Sequence, residues 1–184
     1  MTPPVSDRQI ARRPGRPRKA EEALRRRELL EQALSLFSQH GYGHLSLEHI
    51  AREARVSLRT IYRYFGGKAG LFRAVIRGYS DLFVAALPVG EGCPGNPEPV
   101  LLEFAREYLY HVTRPELIQL RIQAMALARQ LPEVARESYA EGPERTITHL
   151  ARFFECYRRN GLLAPVDTRF LAGQFVNALR GERY

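Results

Sequence analysis

The sequence predicts an all-α protein. Apolar residues recur at three- and four-residue spacing along nearly the whole chain. No segment sustains the alternate-residue pattern of a half-buried strand. The breaks between periodic stretches fall at Gly, Pro, Ser and Asp, residues that stop or start helices. The expected architecture is an N-terminal three-helix domain followed by a helical bundle.

Residues 1–20 hold Pro3, Pro4, Pro14, Gly15 and Pro17 among many arginines and read as a disordered basic arm. A first helix runs from about Glu21 to His40. It buries Leu30, Ala33, Leu34 and Phe37, and Gly41 stops it. Ser46 caps a second helix with Leu47, Ile50, Ala51 and Ala54 on one face. Ser57 caps a third with Leu58, Ile61 and Phe65 inward, so residues 21–66 form one domain. Gly66 and Gly67 break the pattern. A fourth helix follows with Leu71, Phe72, Val75, Ile76, Tyr79 and Phe83 on one face, and it bridges into a second domain of residues 67–184.

The stretch PVGEGCPGNPEP, residues 88–99, reads as a linker. A helix over 100–113 carries Leu101, Phe104, Ala105, Tyr108 and Leu109, and one over 115–130 carries Leu117, Leu120, Ala124 and Leu127. A long segment over 132–160 carries Ile147, Leu150, Phe154 and Tyr157, with Gly142-Pro143 as the place for an interruption. Asp167 or Thr168 caps a last helix with Leu171, Phe175, Ala178 and Leu179 inward. It runs to the final residue without a C-cap signal, which leaves open whether the natural chain continues past Tyr184.

Lys and Arg number 28 against 20 Asp and Glu, a net charge of +8. Nine basic residues (Arg8, Arg12, Arg13, Arg16, Arg18, Lys19, Arg25, Arg26, Arg27) crowd the end that holds the short helix pair. That distribution favours a polyanionic partner. No apolar run approaches the ~20 residues that span a bilayer, and the Arg-rich N-terminus lacks the apolar core of a secretory signal. A soluble cytoplasmic protein with no membrane partner is expected. Cys93 and Cys156 show no ligand spacing and make no disulfide framework, so free thiols are expected. Cys156, near Arg158 and Arg159, is either a thiol of lowered pKa or a buried structural cysteine.

The helix pair Ser46–Lys68, SLEHIAREARVSLRTIYRYFGGK, carries the functional signal. Opposite Leu58, Ile61 and Phe65, the third helix presents Arg59, Thr60, Tyr62, Arg63 and Tyr64, with no acid between Ser57 and Tyr64. A merely solvated face of an α-hairpin mixes charge signs. A basic, hydroxyl-rich and aromatic face suits a helix lying in a groove of double-stranded DNA.

These residues resemble a family. Leu29 to Phe83 is similar to the DNA-binding domain of the tetracycline-repressor (TetR) family of bacterial transcriptional regulators. The shared features are Gly41-Tyr42, Ser46, Ile50-Ala51, Val56-Ser57, Thr60-Ile61-Tyr62, Tyr64-Phe65, Lys68 and Leu71-Phe72. The pattern RPELIQLRIQAMALARQLPEV…LRGE is similar to an AefR-type C-terminal domain. The resemblance implies a helix-turn-helix in which Ser46 touches a phosphate and Ser57, Arg59, Thr60, Tyr62 and Tyr64 sit at the major groove. Lys68 would grip the DNA backbone, Arg59 would read a guanine, and Arg63 would face phosphate or solvent. The chain departs from the family pattern at Leu45, at Gly67 and at Arg55, which stands where the family has Gly. A positive φ there costs Arg about 1 kcal/mol, offset if Arg55 contacts a phosphate.

The arm RRPGRPRK resembles an AT-hook, with Gly15-Arg16-Pro17-Arg18 as the match. Two readings stay open: Arg16 and Arg18 in a narrow minor groove, or a solvated tail that adds only nonspecific affinity. His40, His44 and His49 straddle a helix end and make a poor metal site, so no metal and no cofactor are expected. No nucleophile elbow, P-loop or paired-carboxylate pattern appears, so the chain reads as no enzyme. A ligand-responsive repressor is expected, binding a palindromic operator as a homodimer. The rival readings are an effector-independent architectural DNA binder and a small α-helical enzyme. Phe104, Tyr108, His111, Met125, Phe153 and Tyr157 are the pocket candidates for an unidentified apolar or aromatic effector.

Overall fold

The computed structural model describes residues 19–88, 93 and 95–181, with side chains from residue 21 onward. Among the described residues every regular element is helical. The chain runs α1 (Lys19–His44), α2 (Leu47–Glu53), α3 (Leu58–Phe65), α4 (Lys68–Val84) and α5 (Glu98–Val112). It continues through α6 (Pro115–Gln130), α7 (Pro132–Tyr139), a π turn (Ala140–Glu144), α8 (Arg145–Arg159) and α9 (Thr168–Arg180).

The caps fall where hydroxyl and carboxylate side chains reach unpaired backbone donors. Ser46 accepts from His49 N–H at 3.1 Å and Ser57 from Thr60 N–H at 3.1 Å. Asp167 accepts from Arg169 and Phe170 N–H at 2.8 and 3.0 Å. In α1 the backbone leaves helical geometry at Gly41, with φ 78° and ψ 153°, where the sequence puts the helix stop. The long 132–160 segment is interrupted at Ala140–Glu144, around Pro143. Gly70 matters for close approach, since a Cβ there would lie 1.7 Å from the Phe65 carbonyl oxygen. Only a residue without a side chain lets the first turn of α4 close on the end of α3.

Two cores result. The first joins α1 to α4 through Leu34, Phe37, Ile50, Ile61, Leu71 and Phe72, and it includes Leu120 and Leu127 of α6. The second joins the far end of α4 (Phe83, Val84) to Phe104 and Tyr108 of α5, Leu150 and Phe153 of α8 and Val176 of α9. Each fully buried side chain of this size contributes about 1.5–3 kcal/mol. Helix α4 belongs to both cores. Arg73–Glu137 at 2.8 Å, Arg77–Glu141 at 3.5 Å and Arg145–Asp81 at 2.5 Å tie its outer face to α7, the π turn and α8.

Three expectations change. Cys93 and Cys156 are not free thiols: they form a disulfide, with Cα atoms 5.8 Å apart. The bond fastens the α4–α5 connection to α8, and neither a titrating nor a reduced Cys156 remains. The last helix does not run to the end of the chain. It stops at Arg180, and Gly181 caps it in the left-handed conformation at φ 69°. Leu171, Phe175 and Leu179 pack half-buried against the second core as expected, with Ala172 and Val176 fully buried beside them, but Ala178 is exposed. The partner face of α8 selects Ala172 and Val176, which the apolar pattern of α9 alone cannot do. The expected arm lies almost wholly outside the described residues, as do Arg16 and Arg18.

Candidate nucleic-acid interface and interior cavity

Helix α3 buries Ile61 and Phe65 and turns its opposite side outward. Arg59, Tyr62 and Arg63 are exposed, Tyr62 to 56%. Among the described residues no partner holds the Arg59 or Tyr62 side chain by a hydrogen bond or ion pair, so both are available to an external ligand. The Ser57 and Thr60 hydroxyls lie 2.8 Å apart and cap the helix together. Ser46 at the start of α2 is exposed, and its Oγ holds the His49 N–H. Arg55, in the turn between α2 and α3, is exposed and has φ 52°, the only positive φ of a non-glycine residue among those described. It costs about 1 kcal/mol there.

Three residues of the expected DNA face also hold the protein to itself. The Arg63 guanidinium lies 4.7 Å from the Tyr64 ring centre and donates to the Tyr64 hydroxyl at 2.9 Å. Half-buried Tyr64 in turn donates to Glu22 of α1 at 2.6 Å. Arg63 and Tyr64 thus brace α3 against the start of α1. The Lys68 amine donates to the Leu45 carbonyl at 2.8 Å and lies 4.4 Å from the Tyr42 ring centre. Burial pushes its pKa below the ordinary lysine value. It ties the chain just ahead of α2 to the first residue of α4. The His40 and His49 rings lie 5.3 Å apart, tilted by 45°, and His49 lies 3.7 Å from Glu53. No group of three or more potential metal ligands occurs among the described residues.

A cavity of about 500 Å³ opens between the two cores. Ile76, Tyr79, Ser80 and Phe83 of α4 line one side, facing Leu120 and Ala124 of α6 and Ala135 and Ser138 of α7. Burial raises the Tyr79 pKa above the usual phenol value, so its hydroxyl stays neutral. The π turn closes the wall with Gly142, where a Cβ would lie 2.7 Å from Ile76 Cγ2.

Of the residues nominated from sequence, Tyr108 and Met125 line this cavity. Phe104, Phe153 and Tyr157 lie in the second core instead. There Phe104 stacks on Tyr108 at 5.7 Å, and Phe153 lies 4.9 Å from Tyr157. His111 stands outside the wall, 6.1 Å from the Tyr79 ring, and burial lowers its pKa against the opposing pull of Glu107 at 3.5 Å. Sequence reasoning missed Ile76, Ser80, Gly142 and Arg180 as wall residues. The available signal was smallness: Ala124, Ala128 and Ala135 leave room where larger side chains would close the space.

The chain is similar to known proteins over both its N-terminal and its C-terminal part. Residues 29–75 match the family described as bacterial regulatory proteins, tetR family. Residues 99–184 match the AefR-like transcriptional repressor C-terminal domain. The HTH-type transcriptional regulator TcmR of Streptomyces glaucescens is 30% identical over 171 residues, covering 88% of this chain and 74% of that protein. The HTH-type transcriptional regulator HbdR of Aromatoleum sp. (strain CIB) is 27% identical over 161 residues, covering 88% of this chain and 69% of that one. The solved structure of the flavonoid-responsive regulator FrrA superposes with a TM-score of 0.64 at 31% identity, covering 86% of this chain and 81% of that one. The matched proteins are regulators and not enzymes, and the chain belongs to the TetR family of DNA-binding bacterial transcriptional regulators.

Proposed function

We propose that this regulator is a ligand-responsive repressor that binds a two-fold operator as a homodimer and is released by a small molecule in the α4 cavity. The observation that carries the reading is α4 itself. Its first turn closes on α3 at Gly70, and further along it lines the cavity with Ile76, Tyr79, Ser80 and Phe83. A ligand that prefers one position of α4 shifts the spacing of two recognition helices, and a difference of ~1–3 kcal/mol between states is enough for a switch. The mostly carbon wall supports an apolar or aromatic effector. The likeness to FrrA, named as flavonoid-responsive, supports a small-molecule signal.

On DNA, residues 21–66 act as the reading domain and residues 67–184 as the response domain. Arg59 reads a guanine. Ser46, Ser57, Thr60 and Tyr62 set the position of α3 in the groove, and Arg55 and Arg63 meet phosphates. Tyr64 and Lys68 contribute from the edge of that surface, and Arg16 and Arg18 add contacts from the arm. Two copies read two half-sites. The exposed Phe170 of α9 and Leu162 of the α8–α9 connection, 65% and 64% accessible, support a second copy on the α8–α9 face.

Selection of bound fragments from random DNA by the purified full chain tests this reading. The expected outcome is a palindromic site bound by a dimer and released by a cavity ligand. A monomer at micromolar concentration overturns the dimer. Operator affinity indifferent to every cavity-bound compound overturns the ligand response and leaves an effector-independent DNA binder.

A further inference from the structure

The charges in the cavity wall have one sign. Arg121, Arg136 and Arg180 line it, and no Asp or Glu does. Arg121 and Arg136 stand exposed at the rim on α6 and α7, while Arg180 is half-buried at the end of α9. The Arg180 Nε donates to the Tyr108 hydroxyl, and its guanidinium carbon lies 5.6 Å from the Tyr108 ring centre. That contact fixes the guanidinium and uses one of its five N–H donors.

Among the described residues no carboxylate pairs with Arg180. Arg73, Arg77 and Arg145, close by along α4 and α8, all have one. The same wall holds the Ser138 hydroxyl, on a residue only 1% exposed and without a hydrogen-bond partner among the described residues. A purely hydrocarbon ligand would desolvate the guanidinium with nothing in return. An oxyanion at its open edge receives charge-assisted hydrogen bonds in a low-dielectric surrounding.

We propose that the effector is an amphipathic organic anion. Its apolar or aromatic body lies against Ile76, Tyr79 and Ala124, and its carboxylate or similar oxyanion is held by Arg180 beside Tyr108. This rests on the reading of the cavity as the effector site. One molecule then touches α4 at its body and α9 at its charge, so the anion decides which apolar compounds are signals.

Two dyes with one aromatic body test it: 1-anilinonaphthalene-8-sulfonate and its neutral counterpart N-phenyl-1-naphthylamine. The full chain is expected to bind the sulfonate at least about tenfold more tightly, the scale of a hydrogen-bonded charge. Arg180→Gln is expected to abolish that preference while leaving the neutral dye bound. Arg129→Gln, the same charge change away from the cavity, is expected to leave it intact. A preference that is absent, or that survives Arg180→Gln, overturns the proposal. On the unaltered chain, where no variant needs to fold, 2-naphthoate is expected to displace the neutral dye at lower concentration than 2-naphthamide. Equal displacement also overturns the proposal. Ala124→Trp, which fills the cavity, separates the two ideas. If it leaves both dyes bound, the cavity reading falls together with the proposal. If it expels them and only the anion preference is missing, the proposal alone falls.

Discussion

Helix α3 carries its proposed DNA-facing side chains within eight consecutive residues, on the side opposite Ile61 and Phe65, whereas the cavity gathers its wall from elements spread between Ile76 and Arg180 and turns them inward. An outward face needs little beyond its own helix: two caps, an apolar stripe to seat it, no acid on the free side and, here, the Tyr64–Glu22 bond to α1. An inward wall exists only once α4, α6, α7 and α9 have found one another. The two are linked by α4, which is core to both ends of the molecule, and by α6, whose Leu120 lies in the first core and also lines the cavity. The contrast is between a site made by one stretch of chain and a site made by packing.

The largest test of that contrast is Phe72→Ala. Phe72 is fully buried, with Phe37 and Tyr42 edge-on at 5.0 and 5.1 Å. The truncation is expected to cost about 3–5 kcal/mol in chemical denaturation. Because Leu120 and Leu127 share its core, both halves should melt together. A cavity half that keeps its own transition would make the two sites separable. Next comes Arg59→Ala, expected to weaken specific operator binding by about 1–3 kcal/mol in fluorescence anisotropy while leaving dye binding in the cavity unchanged. Loss of both would blur the distinction.

Arg55→Gly probes the turn. It relieves the φ of 52° and should raise stability by about 1 kcal/mol. The same variant should weaken DNA binding through a lost phosphate contact, so stability and affinity move in opposite directions. An unchanged melting midpoint would show the turn to be unstrained. The smallest effect belongs to His111. Burial holds its folded pKa below the free imidazole value, so the unfolded chain takes up the proton first as pH falls. Stability present at neutral pH is lost from about pH 6.5 downward, and His111→Gln should flatten that part of the profile. A slope identical in both proteins would remove His111 from the account.

How much was legible follows the same division. Ser46, Ser57 and Gly41 mark helix ends by local chemistry, so α1 to α3 and the exposed face of α3 were readable from spacing alone. Arg55 was readable as a strained position because it stands where the resembled family has Gly, the residue that a positive φ favours. Tyr64 and Lys68 were only half readable: their partners, Glu22 and Leu45, lie 42 and 23 positions away. Aromatic residues were the obvious pocket candidates, yet Phe104, Phe153 and Tyr157 fill space while Ala124, Ala128 and Ala135 leave it. A cavity is an absence of side chains, and sequence patterns advertise presence. The Cys93–Cys156 bond was hidden for a related reason, since 63 positions separate two cysteines that only the return of α8 past the α4–α5 connection brings together.

The insertion of Leu120 and Leu127 into the core of the reading end also bears on how such regulators can be recombined. A headpiece exchanged between relatives at Gly66 would arrive without the α6 leucines that roof it, and it would meet a foreign α6 shaped for another α1. A graft that carries α4 and repacks the α1–α6 seam keeps the roof. New operator specificities are therefore easier to obtain by changing Arg59 and Tyr62 than by swapping whole headpieces, because no partner among the described residues holds those two side chains.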